Sequence, residues 1–192
     1  MKLKTHSRFR LAALACAAGA LSAGGAAQAA SYQFSGDISA SPTFQRLIGS
    51  GPNLSSVANA VHFNAFEFSV DQAGSYSFES LVPGDTGTTG GVWDNYLFLY
   101  QTAFNPADAR VNILKGVSGL GFGPATMNFD LNTGGRYVLV TSGYLNKDMG
   151  SFVNTINGAG QVSPVPEPGA AALLLAGLLA LAVVVATRRR DA

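Results

Sequence analysis

Apolar and polar side chains alternate through most of the middle of this chain, and helical spacing is scarce there. Tyr32 and Phe34 suggest an early edge strand, and residues 43–48 another. Val61 and Phe63 alternate with polar neighbours, then the apolar phase shifts to Phe66, Phe68 and Val70. Such a shift predicts a bulge, or the end of one strand and the start of the next. Tyr76 and Phe78 follow Gly74, and residues 96–100 are apolar on both faces, the mark of a central strand. Met127, Phe129 and Leu131 alternate up to Asn132, Thr133, Gly134 and Gly135, residues of the kind that close a hairpin. Tyr137, Leu139 and Thr141 face one way and Val138 and Val140 the other, and Phe152, Asn154 and Ile156 complete the series. About eight short strands between glycine-rich turns predict an all-β fold, a single jelly-roll-like β-sandwich.

The two ends follow a different logic. Lys2, Lys4, Arg8 and Arg10 precede an apolar stretch at 11–21, and Ala27-Gln28-Ala29 is a small-x-small site before Ala30. This order predicts a signal peptide over residues 1–29, cut by signal peptidase. An apolar core of about 11 residues is too short for a spanning helix, which needs roughly 20. Cys16 sits inside that stretch after Ala13-Leu14-Ala15, a poor setting for lipid attachment.

At the C-terminus, Val165, Pro166, Glu167 and Pro168 precede an apolar run and then Arg188, Arg189 and Arg190. The apolar run at 169–186, 18 residues at roughly 1.5 Å each, is long enough to cross a bilayer with little tilt and predicts a transmembrane helix over 169–187. The arginines of the tail, 188–192, resist translocation and stay cytoplasmic, which puts Glu167 on the outer side. Prolines at 164, 166 and 168 remove amide donors and favour extended geometry, so 163–168 reads as a stiff linker after a sandwich at 30–162.

This proline-braced glutamate, apolar helix and arginine cluster at the end of an exported chain resembles the PEP-CTERM sorting signal. The same motif is catalogued as an ice-binding-protein C-terminal motif, a label that concerns the tail and implies no affinity for ice. The resemblance covers residues 165–190. It implies a Gram-negative host in which an exosortase, a membrane-embedded cysteine peptidase, reads the motif. The protein would then pass from the inner membrane to the cell surface or the exopolysaccharide of a biofilm matrix. More loosely, residues 66–158 resemble pre-peptidase C-terminal-like domains. That likeness rests on the apolar strand and Ala-Gly turn at 68–74, the Asp-x-x-Leu-x-Leu-Tyr strand at 94–100 and the Gly-Arg-Tyr-Val-Leu-Val stretch at 135–140. It implies an accessory sandwich; some members of that class bind calcium or extracellular polymers.

Charge and cysteine content narrow the function further. The whole chain carries +1, but seven of its basic residues lie in the two ends. Between them, five cations (Arg46, Arg110, Lys115, Arg136, Lys147) face nine carboxylates, a balance of −4 with no basic cluster. Such a balance argues against nucleic acid as a partner. Cys16 is the single cysteine, so the exported part holds together without disulfides.

Catalytic chemistry has little to work with. The sandwich region offers one histidine, His62, placed by alternation on the solvent side of its strand, and the sequence has neither Gly-x-Ser-x-Gly nor His-Glu-x-x-His. We therefore expect no enzyme and no cofactor. Calcium is the one metal the residue types suit, with Asp85 and Asp94 flanking the Gly-rich stretch at 84–91, though no spaced Asp-x-Asp-x-Asp ladder is present. Trp93, Tyr96, Tyr100 and Tyr144 are the aromatic candidates for stacking on sugar rings. Alternation with Phe98 assigns Tyr96 and Tyr100 to the core and leaves Trp93 as the exposed platform. The expected role is structural or adhesive, with a carbohydrate- or calcium-binding module as the alternative.

Overall fold

A computed structural model describes residues 29–84, 93–119 and 123–166, and within them ten strands form two antiparallel sheets. The strands are β1 (Ala30–Asp37), β2 (Thr43–Phe44), β3 (Val61–Val70), β4 (Gly74–Leu81), β5 (Asn95–Gln101), β6 (Ile113–Ser118), β7 (Ala125–Leu131), β8 (Arg136–Gly143), β9 (Ser151–Gly158) and β10 (Val162–Pro164). The smaller sheet runs β1-β9-β4-β7; the larger runs β10-β3-β8-β5-β6, with β2 also on β3. The all-β sandwich expected from alternation is therefore present. Two of its strands, β6 and β10, lack a sequence signal strong enough to have been anticipated. All but the last residue of the predicted signal peptide (1–29) and the whole predicted transmembrane helix (169–187) lie outside the described residues, as do Asp85, Glu167, Pro168 and Arg188, Arg189 and Arg190.

Between the sheets lies the principal core. Phe68, Tyr76, Phe78, Leu97, Leu99, Leu131, Tyr137, Leu139 and Ile156 are buried there, backed by Tyr32, Phe34 and Phe66. Phe34 stacks on Phe66 at 4.1 Å between centroids. Each buried large side chain contributes roughly 1.5–3 kcal/mol by leaving water. Tyr76 fills the space a Cβ at Gly158 would need, and its hydroxyl accepts from the Gly160 amide and donates to the Gln72 carbonyl. One ring thus fixes the turn between β9 and β10.

A second core covers the outer face of the larger sheet. Phe44, Leu47, Ala58, Val61, Tyr96, Phe98, Tyr100, Val138 and Val140 are buried in it, with Phe63 and Phe104 packed alongside. Its lid is the irregular chain between β1 and β3 and between β5 and β6. Phe44 meets Phe63 and Phe104 edge to face at 5.4 and 5.1 Å. This explains β5: Leu97 and Leu99 enter one core while Tyr96, Phe98 and Tyr100 enter the other.

Three expectations need correction on this geometry. First, the phase shift inside β3 is neither a bulge nor a break, because its register with β8 runs unbroken from Phe63↔Ser142 to Ser69↔Arg136. Val61 and Phe63 feed the second core, and Phe66, Phe68 and Val70 the first. One strand changes buried face along its length. Second, the Gly134 turn closes no hairpin, since β7 and β8 belong to different sheets and the chain arches across the sandwich there. Gly134 takes φ +75° in that arch, a conformation glycine adopts without a Cβ clash. Third, the strand expected at 43–48 is only two residues long; Arg46 and Leu47 lie in the lid.

The C-terminal segment also departs from expectation. Ser163 and Pro164, read as the start of a free linker, pair with Ser69 and Phe68 in β10. Pro164 is tolerated because β10 is an edge strand. The Val165 amide donates to the Glu67 carbonyl at 2.9 Å, so the chain is held to the body through residue 165.

Candidate functional site

Among the described residues, no segment covers the outer face of the smaller sheet. Along β1, β4, β7 and β9 the inward residues are largely apolar and mostly buried, Ser80 and Asn154 excepted, and the outward ones are largely exposed and polar. Registers align these outward residues into rows that cross the strands: Ser31, Asn157, Ser77 and Asn128 in one, and Gln33, Thr155, Glu79 and Thr126 in the next. Neighbouring strands lie about 4.8 Å apart, so hydroxyl and amide groups recur at that spacing across the sheet. Leu81 and Val153 form an apolar pair at one end of the face.

Small side chains on β4 hollow this surface. Ser75 and Ser77 lie between Asn128 and Asn157, and the dip between them is a shallow depression of about 570 Å³. A second depression of about 330 Å³ adjoins it, bounded by Ser77, Glu79, Lys115, Thr126, Asn128 and Asn157. A third of about 420 Å³ shares Ser75 and Asn128 with the first. Together they make one trough across β7, β4 and β9. Lys115 reaches over its rim to donate to the Asn128 carbonyl at 3.0 Å. Gln33 donates to the Thr155 hydroxyl at 3.3 Å.

At the end where β5 begins and β8 finishes, a second polar assembly is built around Arg46. The residue is only 3% exposed, although it is a cation. Nε and an η-nitrogen donate to the Tyr144 carbonyl at 2.9 and 2.7 Å, and the other η-nitrogen donates to the Leu47 carbonyl at 2.8 Å. The Tyr96 and Tyr144 rings lie 4.5 and 4.6 Å from its carbon. Burial lowers its pKa; the two tyrosines and Asp94 oppose that shift. Asp148 is buried beside this group, and burial raises its carboxyl against opposing backbone hydrogen bonds from Leu145 and Asp94. All the guanidinium donors named here are spent on the protein's own carbonyls, which makes Arg46 a clamp between the lid and the 144–150 loop.

Two amides tie the sheets together at the same end. Asn95 on β5 donates to the Ser80 carbonyl and hydroxyl on β4 at 2.8 and 3.0 Å, and Asn154 on β9 donates to the Thr141 hydroxyl on β8 at 2.7 Å. All four residues are buried.

Residues singled out by sequence are dispersed. Trp93 is half-buried, its indole edge against Gly150 and its Nε1 enclosed without a partner, so it is no open stacking platform. Tyr96 and Tyr100 are buried as expected, and burial raises the Tyr100 phenol. Tyr144 is 40% exposed but commits one face to Arg46. Asp94 gives its carbonyl to the Tyr144 amide at 2.8 Å. Among the described residues no three His, Cys, Asp or Glu side chains gather as a metal site. His62 is half-buried rather than on the solvent side, and its Nδ1 donates to the Ser41 carbonyl across the β2–β3 edge. Ala29 is exposed immediately before β1, which begins at Ala30, whereas Ala27 lies outside the described residues. Val165 and Pro166 are the last described members of the proline motif. Among the described residues, no helix is long and apolar enough to cross a membrane.

The trough residues were missed because alternation was used to find the core and not its complement. The signal was available: Ser75-x-Ser77-x-Glu79, Thr126-x-Asn128-x-Asp130 and Thr155-x-Asn157 are polar at a period of two.

No family model matches the chain, and no curated protein matches it. Among solved structures, CBM35 from Cellvibrio japonicus Abf62 is similar at 14% identity and a TM-score of 0.36, covering 71% of this chain and 99% of that one. A likeness of that size bears on neither ligand nor residues.

Proposed function

We propose that this is an exported surface or matrix protein whose jelly-roll sandwich has a non-catalytic, adhesive role. The strand order β1-β9-β4-β7 against β3-β8-β5-β6 supports the jelly-roll part of the reading. The adhesive part is carried by one observation: the larger sheet is covered on both faces, and among the described residues the smaller leaves a hollowed hydroxyl-and-amide face uncovered. His62 holds the Ser41 carbonyl, which favours a structural role for the sandwich region's single histidine. Delivery rests on the resemblance of residues 165–190 to the PEP-CTERM signal. A signal peptidase releases the N-terminus at Ala30, the tail is inserted in the inner membrane, and an exosortase-type peptidase acts near Glu167. The start of β1 at Ala30 and the last backbone bond to the body at Val165 are in keeping with that processing.

Expression in a Gram-negative bacterium that carries an exosortase tests the delivery. Intact-mass measurement of recovered protein should show a chain that begins at Ala30 and lacks Arg188, Arg189 and Arg190. Glu167→Ala should accumulate as uncut precursor in the inner membrane. Normal maturation of that variant, or shed protein that keeps its arginines, would overturn the sorting reading and leave the sandwich untouched.

A further inference from the structure

The adhesive reading leaves open what the trough holds, and its chemistry restricts the choice. We infer that the trough across β7, β4 and β9 binds an uncharged polysaccharide, held by the side chains of Ser75, Ser77, Asn128 and Asn157. The inference rests on the adhesive role proposed for this face.

The four side chains are bound to nothing else. Within the described residues, the amides of Asn128 and Asn157 and the hydroxyls of Ser75 and Ser77 make no hydrogen bond to the protein, while Asn128 lends only its backbone carbonyl to Lys115. Each primary amide presents two donors and an acceptor, and each serine hydroxyl one donor and two acceptors. A ligand that satisfies such a set must itself carry donors and acceptors in close succession. Vicinal hydroxyls along a sugar chain do so.

Other ligand classes fit poorly. Asp37, Glu79 and Asp130 stand exposed on the same outward positions against the single cation Lys115, so the face repels an anionic polymer and offers phosphate no cluster of cations. A peptide laid on the face would bring apolar side chains. The depression is also bounded by Ala29, Gly158 and Ala159, but these are small and it is shallow, so large apolar side chains of a peptide find no deep recess there. Peptides joining as an extra strand need backbone edges, and here the surface is side chains. No outward position on β1, β4, β7 or β9 is aromatic, so the sugar is held by its hydroxyls and not by ring stacking. The rows repeat across the strands at about 4.8 Å, close to the length of one sugar ring, which favours a chain running across β7, β4 and β9.

Affinity electrophoresis of the full-length chain in mild detergent tests this. The gels should contain dextran, galactomannan or hydroxyethyl cellulose as neutral probes, and alginate or hyaluronate as anionic ones. At least one neutral polymer should retard the protein, and neither anionic polymer should. The Asn128→Ala/Asn157→Ala double variant should lose at least tenfold in apparent affinity at an unchanged melting temperature. Ser77→Trp, which fills the hollow, should abolish retardation while keeping the fold by circular dichroism. Retardation by no neutral polymer, retardation by anionic polymers alone, or unaltered binding in the folded variants would overturn the assignment. Protein that is still found in the matrix after such a result would keep the adhesive reading and remove only this ligand.

Discussion

The two sheets share one interior, yet their outer faces are built to opposite rules. On the larger sheet, Tyr96, Phe98, Tyr100, Val138 and Val140 point outward and are buried under the 38–60 and 102–112 segments, so lid and sheet form a core of their own. On the smaller sheet the corresponding positions are Ser75, Ser77, Glu79, Thr126, Asn128, Thr155 and Asn157, with no lid among the described residues. Polar side chains make an uncovered face soluble, and apolar ones make a covered face stable. Beyond the core the sheets share, the molecule thus adds a second core on one side and a polar surface on the other.

The comparison breaks first at Phe98. If the lid is true core, Phe98→Ala should cost about 3–5 kcal/mol in chemical denaturation, as for other buried phenylalanines, while Thr155→Ala on the open face should stay within about 0.5 kcal/mol. A loss below about 1 kcal/mol at Phe98 would mean the lid is mere loop and the two faces differ only in appearance.

Arg46 sharpens the same contrast, because it fastens the lid to the 144–150 loop. Arg46→Met keeps much of the packing but leaves the Tyr144 and Leu47 carbonyls without their donors. Each buried unpaired group costs about 1–3 kcal/mol, so a loss of about 2–4 kcal/mol is expected, with faster amide exchange across 144–150. Unchanged exchange there would show that the lid is held by its apolar contacts alone.

The smallest effect is a pH dependence. Burial raises the Asp148 carboxyl above its ordinary value of 3.8. The folded state then binds this proton more tightly than the unfolded chain, so the residue's contribution to stability falls as pH rises from 3.8 through the raised folded value. Asp148→Asn removes that slope. The variant's unfolding free energy relative to the wild type should climb with pH over this window and then level off; parallel curves would refute the assignment.

Much of the sandwich was legible because alternation reports a sheet with one wet face, and β1, β4, β7 and β9 are of that kind. Residues 96–100 were equally clear, since apolar side chains on both faces mean cover on both sides. What covers them was not legible. The lid has no period, and Arg46 looks in sequence like any surface cation; its burial depends on Tyr144, 98 positions away. The strand β6, Ile113–Ser118, carries a lysine and a glycine in mid-strand, which weakens its pattern. The phase shift in β3 misled for a related reason: a phase change looks the same whether the strand bulges or the cover switches sides. The Gly134 turn misled because a glycine turn fits an arch between sheets as readily as a hairpin. Trp93 seemed exposed because it follows Gly90 and Gly91 in sequence, yet its indole lies against Gly150 from the far side of the fold. The trough needed three strands in register before its polar positions became neighbours.

The docking of β10 has a mechanical consequence. Three residues at a sheet edge, followed by the single bond from Val165 to Glu67, are the C-terminal contacts with the body among the described residues. A pull at that end loads those bonds one after another, as in opening a zipper, and the buried rings behind Phe68 feel no force until the strip has come away. Force applied there would lengthen the edge strip before it disturbed the sandwich.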